Sequence, residues 1–132
     1  NTFEFLGLVH YCAKSRAGRY MLGHRTSVKR FRRKLKEMNL WLKAQRNMLK
    51  LAEIWKMVAA KLRGHYQYYG ISGNYRGIYR YSQRVIRMLF KWLNRRSQRK
   101  SFNWEQFAQY LKKYPLPKPH ITFRLYELAA VK

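Results

Sequence analysis

The chain has 132 residues, 47% of them hydrophobic, and a formal net charge of +25. That length fits one domain, and the apolar content argues against wholesale disorder. Five Glu and no Asp exclude the clustered carboxylates that a two-metal nucleotidyl-transfer centre needs on this chain.

Residues 2–12 mix apolar, aromatic and β-branched side chains. Ser15-Arg16-Ala17-Gly18 is a turn signal, and Arg19-Tyr20-Met21-Leu22 resumes the apolar run. This predicts a β-hairpin over 1–24. A lone hairpin is marginal in water, so it is expected to complete a sheet with strands from elsewhere. The strand-like opening at Asn1 reads as a piece of a longer chain.

Thr26-Ser27 supplies a helix N-cap. Val28, Phe31, Leu35, Met38 and Leu42 then recur at helical spacing, which predicts a first helix over 27–46. Lys29, Arg32, Arg33, Lys36 and Lys43 fall on the other side of it.

Leu51, Ile54, Trp55, Val58, Leu62, Tyr66 and Tyr69 form the stripe of a second helix over 50–69. Gly64 lies inside it, at a cost of about 1 kcal/mol relative to Ala. Close approach of another backbone or of a ligand is the expected reason. Tyr66 and Tyr69 share the apolar stripe and read as core, while Arg63, Gln67 and Tyr68 lie off it and are candidate contacts.

A third helix is predicted over 75–98. Ile78, Tyr81, Val85, Met88, Leu89 and Trp92 line one face. Arg76, Arg80, Arg84, Arg87, Lys91 and Arg95 form a row over about 28 Å on another. A solvated charged face is one reading. A phosphate-contacting ridge fits better, because a row of like charges destabilises an isolated helix.

Asn103 and Gln106 resemble a capping box for a short helix over 104–113. The Pro-rich run 114–119 is expected to be extended. The tail, 120–132, fits strand or helix equally. The expected fold class is mainly α: a three-helix bundle with an N-terminal β-hairpin and a short fourth helix, the helical domain covering 25–100 and the short helix with the Pro-rich segment 101–119.

A polyanionic partner is the economical explanation of the charge, and nucleic acid is the commonest one. A basic soluble surface and an anionic membrane are the alternatives. Cys12 alone makes no internal disulfide, which points to a reducing compartment. No Cys or His cluster has zinc spacing, no Walker-type phosphate loop occurs, and no apolar run approaches the ~18 residues of a membrane span. His10 and Cys12 lack an orienting third group, so no catalytic pair is assigned. His24, His65 and His120 read as surface or packing residues. Aromatic residues interleaved with Arg and Lys suit single-stranded or looped RNA.

The segment 62–74 resembles the signature of the maturase-specific region, also called domain X or thumb, of group II intron reverse transcriptases. Leu62-Arg63-Gly64-His65 matches its Leu-Arg-Gly-aromatic element, and Tyr68-Tyr69 its Tyr-Tyr pair. His65 stands where many members carry Trp. Phe5-Leu6-Gly7 is similar to the strand that closes the palm, and Thr26-Ser27 to the start of the first thumb helix. Lys91-Trp92-Leu93-Asn94-Arg95-Arg96 and Tyr114-Pro115-Leu116-Pro117 also resemble family segments, so the likeness covers residues 3 to about 119.

The resemblance implies that 1–24 ends a reverse-transcriptase palm and that 25–100 is a maturase/thumb domain. It implies group II intron RNA as partner, bound to assist splicing and mobility. It also implies contact with the template–primer duplex and with the palm and fingers of a parent RNA-directed DNA polymerase. The parent's Tyr-Ala-Asp-Asp motif and Mg²⁺ belong to that palm, so no catalytic residue, metal or cofactor is assigned to this chain. The expected setting is the bacterial cytoplasm or an organelle, without membrane association. The expected RNA contacts are Lys29, Arg32, Arg33, Lys36, Arg63, Gln67, Tyr68, Arg76, Arg80, Arg84, Arg87, Lys91 and Arg95. The alternatives are a fragment of an active polymerase and a general basic nucleic-acid module.

Overall fold

The computed structural model describes residues 2–5, 7–14, 20–96 and 102–122. Strands β1 (Thr2–Phe5), β2 (Leu8–Lys14) and β3 (Tyr20–Thr26) form an antiparallel meander in the order β1-β2-β3. The pair β2–β3 is the expected hairpin. The stretch 2–12, read from the sequence as one strand, is two. Gly7 has φ 81°, a conformation that glycine adopts freely and residues with a Cβ resist. The chain reverses there, so that Phe5 pairs with Leu8. Apolar residues on both sides of the turn concealed it. The expected turn at 15–18, the tail from 123 and the side chains of His10 and Cys12 lie outside the described residues.

Four helices follow: α1 (Val28–Gln45), α2 (Leu51–Tyr69), α3 (Tyr75–Leu93) and α4 (Trp104–Lys113). Ser27 caps α1, its hydroxyl accepting the Arg30 N–H at 3.1 Å. The Ser27 N–H donates to the Gly7 carbonyl at 2.9 Å, so the β1–β2 turn helps fix where α1 starts. The capping box of α4 is reciprocal, as expected: Gln106 N–H donates to Asn103 Oδ1 at 2.8 Å, and Asn103 N–H to Gln106 Oε1 at 3.1 Å.

Helix α3 stops at Leu93, short of the expected 98. The Arg95 N–H donates to the Trp92 carbonyl at 3.1 Å, and Asn94 Oδ1 accepts the Phe102 N–H at 2.6 Å. These bonds turn the chain toward α4. Arg95 therefore leaves the basic row, which runs from Arg76 to Lys91 over about 22 Å.

Apart from Val28, which opens the first stripe and is 66% exposed, the apolar stripes meet as the spacing predicts. Leu35, Met38 and Leu42 of α1, Ile54, Val58, Leu62, Tyr66 and Tyr69 of α2, and Ile78, Tyr81, Val85 and Leu89 of α3 are all buried. Among the helices, α1 packs most extensively on α3, with Phe31 edge-on to Tyr81 at 6.5 Å. Phe107 of α4 is fully buried, edge-on to Phe90 and Trp55. The Pro-rich run straps across α2. Trp55 Nε1–H donates to the Tyr114 carbonyl at 2.8 Å, Tyr66 Oη–H to the Pro117 carbonyl at 2.9 Å, and Leu116 is buried between them in sequence. Thr122 N–H then reaches the Gly70 carbonyl at 2.8 Å.

The sheet is locked to the bundle by one buried amide. Asn74, at the start of α3, accepts the Thr26 N–H and donates to both Thr26 Oγ1 and the Tyr69 carbonyl, each at 2.8 Å. This orientation of β3 against α1 and α3 shapes the surface described next.

Candidate nucleic-acid interface

The outer faces of α1 and α3 bound an open groove that the end of β3 extends. Its larger part, about 1090 Å³, is lined by Arg25 of β3, Arg32 of α1, and Arg76, Arg80 and Arg84 of α3. Val9, Val28, Phe31 and Leu35 also line it, and Tyr11 stands at the sheet end with the Arg25 guanidinium 5.7 Å from its ring. A second part, about 430 Å³, shares Leu35 and Arg84 and continues along Lys36, Arg87 and Lys91. Among the described residues no carboxylate lines either part. The α3 row sets like charges three and four residues apart, each such pair costing about 0.2–0.5 kcal/mol, or roughly 1–2 kcal/mol along the row. A polyanion in the groove relieves that repulsion and releases its own counterions.

A different surface forms around the 62–74 segment. Tyr66 and Tyr69 are buried, as expected, whereas Tyr68 is 47% exposed. His65 is buried with its ring parallel to Tyr81, centroids 3.7 Å apart. Burial, and secondarily the charge of Lys34, pulls the His65 pKa down to about 3. Gly64 does not serve close packing: a Cβ built on it meets nothing within 4 Å. It lies on the rim of a cavity of about 370 Å³ between α1 and α2, whose wall Tyr81 completes.

Compared with known proteins, residues 28–111, well over half of the chain, match the family model described as the group II intron, maturase-specific domain. The chain belongs to that family. No curated protein and no solved structure matches it.

Within this maturase-specific domain the expected contact residues separate into groups. All are exposed. Arg32, Lys36, Arg76, Arg80, Arg84, Arg87 and Lys91 come together along the groove. Lys29 and Arg33 lie on α1 without lining it. Arg63 and Gln67 are exposed on α2 and line neither the groove nor the second cavity, while Tyr68 lines that cavity. Arg95 sits beyond α3 with its guanidinium 5.6 Å from the Trp92 ring, where Lys91 and Arg46 also approach. Arg46 is tied into the fold, donating through Nε to the Arg95 carbonyl at 3.2 Å and through Nη1 to the Lys43 carbonyl at 2.6 Å. The sequence reading missed Arg25, whose exposure beside buried His24 follows strand alternation. It also missed Arg30 and Lys34, which step by four along α1 toward the second cavity. Among the described residues no group of three or more His, Cys, Asp or Glu is placed to hold a metal ion. None of their helices is long and apolar enough to cross a membrane.

Two stability predictions arise here. Gly64→Ala is expected to raise the unfolding free energy by about 0.5–1 kcal/mol, because helix propensity improves and no neighbour is displaced. A urea midpoint that stays the same or falls counts against an open site at Gly64. The second concerns pH. Folded His65 holds its proton only below about pH 3, whereas the unfolded residue holds it below about 6.5. Between these values the unfolded chain binds more protons, so stability falls as the pH falls. The loss from pH 6.5 to 5.5 should be about 1 kcal/mol and should be absent in His65→Phe. Parallel stability profiles for the two proteins would show that His65 titrates normally in the fold.

Proposed function

We propose that this maturase-specific domain binds group II intron RNA along the α1–α3 groove and thereby helps the intron hold the fold in which it splices. The observation that carries this reading is the continuous line of cations from Arg25 through Arg84 to Lys91, with no carboxylate among the described residues that line the groove. Such a surface grips phosphates without reading bases. In the parent protein, which we read as an RNA-directed DNA polymerase, the three-stranded sheet continues the palm, and the helices lie beside the template–primer duplex. Mg²⁺ and the catalytic carboxylates belong to that palm, and the chain by itself is expected to extend no primer. Its setting is then that of its intron, the bacterial cytoplasm or an organelle.

The test is competition binding of the 132-residue chain between the intron RNA that surrounds its reading frame and an unrelated structured RNA of equal length. Salt is varied from about 50 to 200 mM, over which phosphate-driven affinity falls steeply. A preference for the intron that persists as salt rises supports a maturase. Equal affinities throughout support a general basic module, and a flat salt dependence removes phosphate contact as the mode of binding.

A further inference from the structure

The cavity between α1 and α2 has no part in the groove, yet it carries the features of a ligand site. Its walls bring Arg30 and Lys34 of α1 and Lys61 of α2 around one opening. The only lining carboxylate, Glu37, pairs with Lys34 at 3.4 Å, which leaves Arg30 and Lys61 as a net positive charge. At the wall, His65 Nε2 is buried without a hydrogen-bond partner, and the Tyr69 hydroxyl faces Arg30. An unsatisfied buried polar atom costs about 1–3 kcal/mol, and one at the wall of a cavity points to a group that a ligand completes. His65 is held in place by its stack on Tyr81, so the position of Nε2 is fixed before anything binds.

Gly64 adds an independent observation. A glycine inside a helix costs about 1 kcal/mol relative to Ala, and no contact in the fold requires it. Its missing side chain leaves the cavity mouth open. Tyr68, half exposed beside that mouth, presents an aromatic ring. At about 370 Å³ the cavity falls at the small end of ligand sites, which span about 300–1,000 Å³.

We propose that this cavity receives one unpaired nucleotide of the bound RNA, with its base edge toward His65 and Tyr69 and its phosphate beside Arg30 and Lys61. The proposal rests on the RNA-binding reading above. It assigns the two surfaces different tasks. The groove holds phosphates without regard to sequence, and the cavity recognises an unpaired base, the form in which RNA sequence is usually read.

The experiment uses the whole chain and a set of RNA hairpins, one fully paired and four carrying a single bulged A, C, G or U, with affinities read by fluorescence anisotropy. At least one bulged hairpin should bind about tenfold more tightly than the paired one, the range expected for stacking and hydrogen bonding of one base. Gly64→Leu fills the mouth at an exposed helix position, and His65→Phe keeps the ring stack while removing Nε2. Each should abolish the preference while affinity for the paired hairpin and its salt slope stay unchanged. Urea unfolding of each variant verifies that the fold persists. Binding of all five hairpins with equal affinity, or a bulge preference that survives both variants, overturns the cavity assignment and leaves the groove reading standing. Failure to bind any hairpin overturns both.

Discussion

Replacing Arg80, Arg84 and Arg87 together with Gln is expected to weaken RNA binding ten- to a hundredfold at low salt. The slope of log affinity against log salt should fall by about two to three, because each phosphate contact releases close to one counterion. Arg84 is the informative member, since it lines both parts of the groove. All three side chains are exposed, so their loss opens no cavity. Removing like charges three and four residues apart should leave α3 as stable as before or slightly more so. The comparison variant removes the same charge elsewhere, at exposed Lys56, Lys112 and Lys113. If that variant lowers the salt slope as much as the groove triple, binding follows diffuse net charge, and the α1–α3 groove is not the contact surface.

Asn74→Ala is expected to lower the unfolding free energy by about 3 kcal/mol, with a melting temperature roughly 10 °C lower. Two accounts of Asn74 differ in magnitude. As an N-cap of α3 its loss would cost about 1 kcal/mol. Its side chain makes no cap hydrogen bond, however. It is 1% exposed and bridges Thr26 to the Tyr69 carbonyl through three bonds. Truncation strands the Thr26 N–H, at about 1–3 kcal/mol, and removes the hydrogen bonds to Thr26 Oγ1 and to the Tyr69 carbonyl, at about 1 kcal/mol each, although that carbonyl keeps the Ile71 N–H at 2.9 Å. Urea unfolding followed by circular dichroism distinguishes the two, and a loss below about 1 kcal/mol would remove the latch account. Hydrogen exchange gives a local readout. The Thr26 N–H, bonded to Asn74 Oδ1 at 2.8 Å, should lose protection in the variant well before the α3 core does.

The sequence alone determined the helices, their buried faces and the identity of the family. The stripes Leu35–Met38–Leu42 and Ile78–Tyr81–Val85–Leu89 repeat at the helical period, and the structure buries each of these residues. Ser27 and Asn103 announce helix starts because capping is a contact between residues three apart. The assignment of Tyr66 and Tyr69 to the core and of Tyr68 to the surface follows from the same period. Exposure of the basic residues was equally legible, since no core can accept so many unpaired cations.

Only the tertiary structure decided which exposed residues act together. The period of a helix says which side faces the core and nothing about which neighbour stands across from the other side. Arg25 joins Arg80 and Arg84 because β3 is latched to α3 by bonds between residues 48 apart. Arg63 and Gln67 satisfy the same local rules and line neither the groove nor the cavity. The break at Gly7 was invisible because both flanks are apolar, and the end of α3 at Leu93 because Asn94 turns the chain through a bond to Phe102. Gly64 is the sharpest case. The sequence marked it as costly and left a close backbone and a ligand open as the reason, whereas the fold leaves it facing open space beside the unsatisfied His65 Nε2. The spacing of residues along one helix carried the first statement. The second needed α1, α2 and α3 to be brought together around one cavity.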